Sequence, residues 1–231
     1  MKKHPVNWHL YQSFFPLEDP KKSQKRKLPY YFFALAMAAG GTWLLLVVLG
    51  FQGYHPFRTQ PSFSADNLLV EAFSPSVSHW SDEIQGWADA WNLDPLLIAT
   101  VMQIESCGNP DALSPAGAQG LFQVMPYHFE PGEDPFDPAT NAKRGLAYLQ
   151  QSYQLSDGNI ELALAGYNGG HGQIPRKKSL WPDETQRYVQ WGSAIYQEAT
   201  LGKEGETALS AWLTAGGWRL CKTAEEILKL N

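Results

Sequence analysis

The sequence predicts a mainly helical domain that follows one membrane-spanning helix, and three observations carry this expectation. Residues 28–51 hold no charged side chain over about the length a helix needs to cross a bilayer. From residue 78 onward, apolar residues recur with the helical period of about 3.6. No run alternates convincingly with period two, which leaves room for at most a small strand element in the loop after residue 109.

Charge is divided sharply along the chain. The first 27 residues carry seven Lys and Arg against two acids, Glu18 and Asp19, whereas residues 28–231 carry eleven bases against 21 acids. An acidic folded part argues against nucleic acid as a partner, because phosphate binding needs concentrated Lys and Arg. The bases Lys21, Lys22, Lys25, Arg26 and Lys27 lie just before the apolar run and only Arg58 follows nearby, so residues 1–27 read as a cytoplasmic tail. The expected location is therefore the cell membrane, single-pass, with the remainder exported. Tyr30, Tyr31 and Trp43 suit the membrane interface. A cleaved signal peptide is the competing reading, but the run exceeds a usual signal core and no small-x-small site follows it. Residues 52–77, with Gly53, Pro56 and Pro61, suit an extracytoplasmic linker, with a helical turn over 67–73.

The elements of the domain follow in order. Trp80, Ile84, Trp87, Ala88 and Trp91 share one face of a first helix. Asp94 and Pro95 form a cap and first-turn pair that opens an almost wholly apolar helix ending at Glu105, where Gly108 and Pro110 stop it. Residues 109–135 are rich in Gly and Pro and predict a loop with a short helix around 122–125. Asp137 and Pro138 repeat the cap pattern before Ala142, Leu146, Leu149 and Tyr153. Asn159 or Asp157 starts a helix through Tyr167, and residues 181–199 make another with Tyr188, Trp191 and Ile195 inward. In the tail, 201–231, Thr223 and Glu226 match a capping box before a short terminal helix. Trp212 and Trp218 suit either core packing or glycan stacking.

Glu105 is the only ionisable side chain of its helix after the cap. It sits beside unpaired carbonyls at the negative end of the helix dipole, with no cation within several residues, and both influences disfavour the charged form. A buried carboxyl of this kind keeps its proton near neutrality, as a general acid must. The plainer alternative is a Glu that solvates a helix end. Asp111, Glu161 and Glu184 are the other acids near this chemistry, in positions that suit caps and structural pairs equally well. Cys107 and Cys221 lie on the exported side of this topology, where a disulfide can form and persist; two unrelated free thiols are the alternative. No metal or nucleotide motif is present: His79, His128 and His171 lack ligand spacing, and no cofactor is expected.

Glu105-Ser106, Asn109-Pro110, Ser114, Gly117-Ala118, Gly120-Leu121-Phe122-Gln123 and Met125-Pro126 resemble the signature of the soluble-lytic-transglycosylase family, with its goose-type lysozyme-like fold. Phe122 stands where members usually have Met. Ala163-Leu164-Ala165-Gly166-Tyr167-Asn168-Gly169-Gly170 resembles the second family motif, with Gly169 in place of the usual Ala, and Asp183-Glu184-Thr185 with Tyr188-Val189 resembles the third. The similarity covers roughly 78–200, the span expected to be the catalytic domain.

The resemblance implies non-hydrolytic cleavage of peptidoglycan between N-acetylmuramic acid and N-acetylglucosamine, giving 1,6-anhydro-muramyl ends, with Glu105 as the catalytic residue. It implies that Ser114 and Gln123 hydrogen-bond the N-acetyl group or Glu105, that Met125 lines the saccharide cleft, and that Tyr167 and Asn168 orient acid or sugar. Peptidoglycan strands are the implied substrate, and cell-wall assembly machinery is a candidate partner. A lone acid fits substrate-assisted chemistry, in which the sugar's own acetamide supports the developing charge. Two other functions stay open on the sequence: a hydrolytic lysozyme-type muramidase and a non-catalytic wall-binding scaffold.

Overall fold

The computed structural model describes residues 69, 71–202 and 208–230. The expected tail 1–27, the expected anchor 28–51 and most of the expected linker lie outside them. Among the described residues no helix is long and apolar enough to cross a membrane.

The architecture is helical: α1 (Pro75–Ser78), α2 (Ser81–Trp91), α3 (Pro95–Glu105), α4 (Pro138–Leu155), α5 (Ile160–Gly169), α6 (Asp183–Leu201), α7 (Ala208–Trp212) and α8 (Trp218–Leu228), with single 3₁₀ turns at Pro126–His128, His171–Gln173 and Lys178–Leu180. The only extended pairing among the described residues is two isolated bridges, Leu113 with Gln119 and Gln119 with Val124.

α3 is the axis of the core. Leu96 through Gln103 are all buried, which follows from a helix apolar on every side: it must be covered all round. α2 and α6 pack against it, and α5 lies between α4 and α6. The three expected caps are present, since the Asp94 side chain accepts from Leu96 N, Asp137 from Thr140 N and Asn159 from Leu162 N. Each satisfies an amide with no partner inside its helix, worth about 1 kcal/mol. Asp157, the other start weighed for α5, sits at φ 51° in the preceding turn.

Gln103 is the one polar side chain buried inside α3 after Thr100, and it binds the entry segment. Its Oε1 accepts from Ser74 N and Ser74 Oγ, both at 3.0 Å. Leu69, Phe73 and Val77, from the stretch expected as linker, are buried in the same core. Cys107 and Cys221 form a disulfide across 114 residues and fix α8 to the residues after α3. No other cysteine exists in the chain.

Two local expectations are corrected. The short helix expected at 122–125 falls instead at Pro126–His128; Gln123 adopts φ 46°, which no right-handed helix contains, and the Val124 amide pairs with Gln119 O at 2.9 Å. Thr223 is not an N-cap, because α8 already begins at Trp218. Its hydroxyl donates to Arg219 O one turn back, at 3.0 Å, the alternative open to a mid-helix Thr. The two tail tryptophans part company: Trp212 is buried in the core, while Trp218 is 49% exposed with the Arg219 guanidinium 5.6 Å from its ring.

Candidate active site

Glu105 is the last residue of α3 and half-buried. Burial pushes its carboxyl from an ordinary 4.5 up to about 8; the Tyr188 hydroxyl pulls the other way, and the Glu184 carboxylate adds to the rise. The acid is therefore protonated at neutrality, and desolvation is the first cause. Tyr188 Oη makes no well-formed hydrogen bond and is shut off from solvent, so its dipole is directed at Glu105 without a second partner among the described residues. Tyr188 was legible as an inward residue of α6 within the third motif. Its role beside Glu105 was not, because nothing in linear spacing says which inward residue meets which.

The motif loop is tied directly to the end of α3. Ser106 Oγ donates to Leu121 O at 2.7 Å, which binds the residue after the acid to the loop. Gly108, at φ 79°, passes so close to the Ser76 carbonyl that no Cβ fits there, and this explains why glycine ends the helix. Asn141 of α4, fully buried, is a hub that the sequence did not single out. Its Oδ1 accepts from Phe122 N at 2.9 Å, and its Nδ2 donates to Gln119 O at 2.7 Å and Pro135 O at 2.8 Å.

Tyr167 donates its hydroxyl to Phe122 O at 2.7 Å and lies close enough to Glu105 for their charges to interact. The fold thus brings Tyr167, the motif loop and Glu105 together. Asn168 accepts from Thr185 Oγ1 at 2.9 Å, so the second and third motifs are joined by one hydrogen bond. At Gly169 an added Cβ would lie 2.6 Å from Thr185 Oγ1, so the Ala usual in the family would push on that same residue. Phe122, where the family pattern has Met, is fully buried with its ring edge-on to Trp87 at 5.8 Å.

Gln123 spends both amide hydrogens on the loop, donating to Ala112 O at 3.2 Å and Gly120 O at 3.0 Å, which leaves Oε1 as its remaining polar atom. Ser114 Oγ accepts from Ala118 N at 2.9 Å and closes a tight turn instead of bonding to Glu105. Met125 is partly buried, just before the Pro126–His128 turn. Among the remaining acids, Glu161 pairs with Lys178 and Asp111 is exposed in the loop. Glu184, exposed in the first turn of α6, is the carboxylate that reaches Glu105 electrostatically.

A family model described as "Transglycosylase SLT domain" matches residues 82–189. The chain is similar to the "Transglycosylase" of Enterobacteria phage PRD1, 35% identical over 111 residues that cover 47% of this chain and 40% of that one. It is similar to the "Soluble lytic murein transglycosylase" of Escherichia coli (strain K12), 37% identical over 83 residues that cover 30% and 13%. The "Endo-type membrane-bound lytic murein transglycosylase A" of Klebsiella pneumoniae is 30% identical over 123 residues, covering 46% and 58%. The chain thus spans less than two thirds of each of these relatives. Among solved structures, the 70-kDa soluble lytic transglycosylase of Escherichia coli matches with TM-score 0.47 and 25% identity over 56% of this chain and 25% of that one. The three motifs gather around one carboxyl, and residues 82–189, which span them, match the transglycosylase SLT domain.

Proposed function

We propose that this protein is a membrane-anchored peptidoglycan lytic transglycosylase that cuts between N-acetylmuramic acid and N-acetylglucosamine without consuming water. The observation that carries the reading is Glu105: an unpaired carboxyl held protonated at neutrality beside two motif tyrosines, Tyr167 and Tyr188. The names of the relatives, lytic murein transglycosylases among them, support the substrate class. The basic tail and the uncharged run 28–51 support a single-pass anchor with the domain outside.

The chemistry balances on one acid. Glu105 gives its proton to the glycosidic oxygen as the bond from the muramyl C1 to that oxygen breaks. The sugar's acetamide supports the charge developing at C1. The Glu105 carboxylate then takes the proton of the muramyl C6 hydroxyl, whose oxygen bonds to C1 and closes the 1,6-anhydro ring. An acid with a pKa of about 8 suits both halves, because it is protonated at the start and basic enough to recover its proton. The Tyr188 dipole steadies the charged intermediate form of Glu105. Gln123 Oε1 and the Ser114 hydroxyl hydrogen are the groups assigned to the acetamide, Met125 lines the cleft, and Tyr167 and Asn168 orient acid and sugar.

The test is product analysis on purified sacculi with the wild type and Glu105→Gln side by side. Anhydro-muramyl ends from the wild type and none from the variant are expected. Reducing muramyl ends from the wild type would replace the proposal with a hydrolytic muramidase, and undiminished activity of the variant would remove Glu105 from the chemistry.

A further inference from the structure

A knot of buried polar atoms lies behind the end of α3. Gln103, fully buried, stands two residues before Glu105, and Cys107, also fully buried, two residues after it. Gln103 Nε2 donates to Cys107 Sγ at 3.0 Å and to Cys221 Sγ at 3.4 Å, while its Oε1 accepts from Ser74 N and Ser74 Oγ at 3.0 Å. The Ser74 hydroxyl lies 3.0 Å from Cys107 Sγ, and the Ser76 hydroxyl 3.4 Å from the same sulfur. One side-chain amide therefore joins three segments remote in sequence: the entry segment at Ser74, the last turns of α3, and α8 through Cys221.

The bridge is what keeps this knot closed. Sulfur is a weak acceptor, so the Gln103 amide is satisfied only while both sulfurs are locked beside it, and a buried amide without partners draws in water. α8 has little else to hold it: its buried residues are Cys221 and Ala224, with Leu228 packed partly against the core. The turn before α8 contains Gly216 at φ 129°, where the backbone rotates without a side chain in the way. On the other side, Ser106 Oγ binds Leu121 O at 2.7 Å and the Trp80 indole donates to Gly108 O at 2.9 Å, so the knot and these bonds grip the residues that flank Glu105.

We propose that Gln103 is a positioning residue for Glu105 and that the Cys107–Cys221 bridge switches it: closed, it fixes the end of α3 with the acid out of water; reduced, it releases α8 and lets water in behind that helix. This rests on the reading of Glu105 as the acid of an exported domain. Closing the bridge takes one hydrogen from each thiol, two electrons and two protons in all, which pass to a protein disulfide oxidant of the exported compartment as that disulfide becomes a dithiol. The chain is thus synthesised in a weakly active form and gains full activity after export. The titratable groups that face Glu105 are Tyr188 and Glu184 from α6 and Tyr167 from α5, and none belongs to α8. A change in the protonation of Glu105 on reduction therefore reports water at the end of α3.

The test compares the full chain oxidised and after reduction with dithiothreitol, and reads the protonated-carboxyl infrared band of Glu105 against Glu105→Gln as pH rises, a readout that needs no turnover. The midpoint near 8 of the oxidised chain is expected to fall by about one pH unit on reduction and to return on reoxidation. Turnover on sacculi is expected to fall by about tenfold with KM little changed, while circular dichroism shows the reduced chain still helical. Gln103→Met, which keeps the bridge and removes the amide, is expected to lower the midpoint as well, and it decides the matter should reduction unfold the chain. A midpoint unchanged on reduction of the folded chain overturns the switch, and one unchanged in Gln103→Met overturns the role of Gln103. An oxidised wild type that leaves sacculi intact overturns the enzymatic reading instead, and the infrared comparison is unaffected by it.

Discussion

Glu105 and Glu133 are two carboxyls of one domain driven in opposite directions. Glu133, in the loop before α4, receives two hydrogen bonds from the Arg144 guanidinium at 2.7 Å, one from Lys143 at 3.4 Å and one from the Glu130 amide at 3.0 Å. Those donors hold it down at about 2. Glu105 has no cation beside it among the described residues, is taken out of water by α3 and its neighbours, and rises to about 8. The residue type is the same, and surroundings alone separate a loop clamp from a proton donor. The domain also places its cations accordingly: Arg144 and Lys143 are committed to the loop, and among the described residues none pairs with the acid.

The contrast can be broken most sharply by neutralising each acid. Glu105→Gln is expected to lower turnover by about 10²–10⁴-fold, the contribution typical of a general acid, while Glu133→Gln leaves it unchanged; clearance of purified sacculi, with circular dichroism to confirm folding, compares the two. Comparable losses would mean that loop geometry, not proton transfer, sets the rate.

The next effect concerns how the acid is held. Cys107 is two residues beyond Glu105, and its bridge to Cys221 closes a loop of 114 residues. Replacing both cysteines by Ser is expected to cost about 5 kcal/mol on the chain-entropy account, read from urea unfolding. The Glu133 region, which has no covalent tie, offers no counterpart of this size.

Stability against pH separates the acids by sign. Between about 4.5 and about 8 the folded state keeps the Glu105 proton that the unfolded chain has released, so stability falls as pH rises, by up to about 1.4 kcal/mol per pH unit. Glu105→Gln is expected to flatten that limb in thermal melts and to leave the protein more stable than wild type at pH 8. Glu133 acts oppositely: its contribution is present above the ordinary 4.5 and is lost as pH falls toward about 2, so Glu133→Gln flattens the acid limb instead.

The smallest effect is the finest. Tyr188→Phe removes the hydroxyl that favours the ionised form of Glu105, and the alkaline midpoint of the pH–rate profile is expected to move upward. A downward move would reverse the role assigned to Tyr188.

The parts readable in the sequence were those governed by local rules. Asp94, Asp137 and Asn159 cap helices because a short acceptor before a helical run can bond only the amides just ahead of it. Glu105 stood out because a single charge ended an apolar helix. Tertiary pairings were not readable. Asn141 looks like any polar residue of a first helical turn until three loop groups converge on it. Thr223 misled because a capping-box pattern also occurs inside a helix whose start is set elsewhere, here at Trp218 beyond Gly216 and Gly217. Ser114 illustrates a middle case: its position in the motif was legible, while the Ala118 amide it holds was not.

The account depends on Glu105 carrying its proton at neutral pH, and difference infrared spectroscopy of wild type against Glu105→Gln reads that proton directly. A protonated-carboxyl band present at pH 7 and fading with a midpoint near 8 is the expected result. A band already gone by pH 6, with a midpoint near the ordinary 4.5, would contradict it.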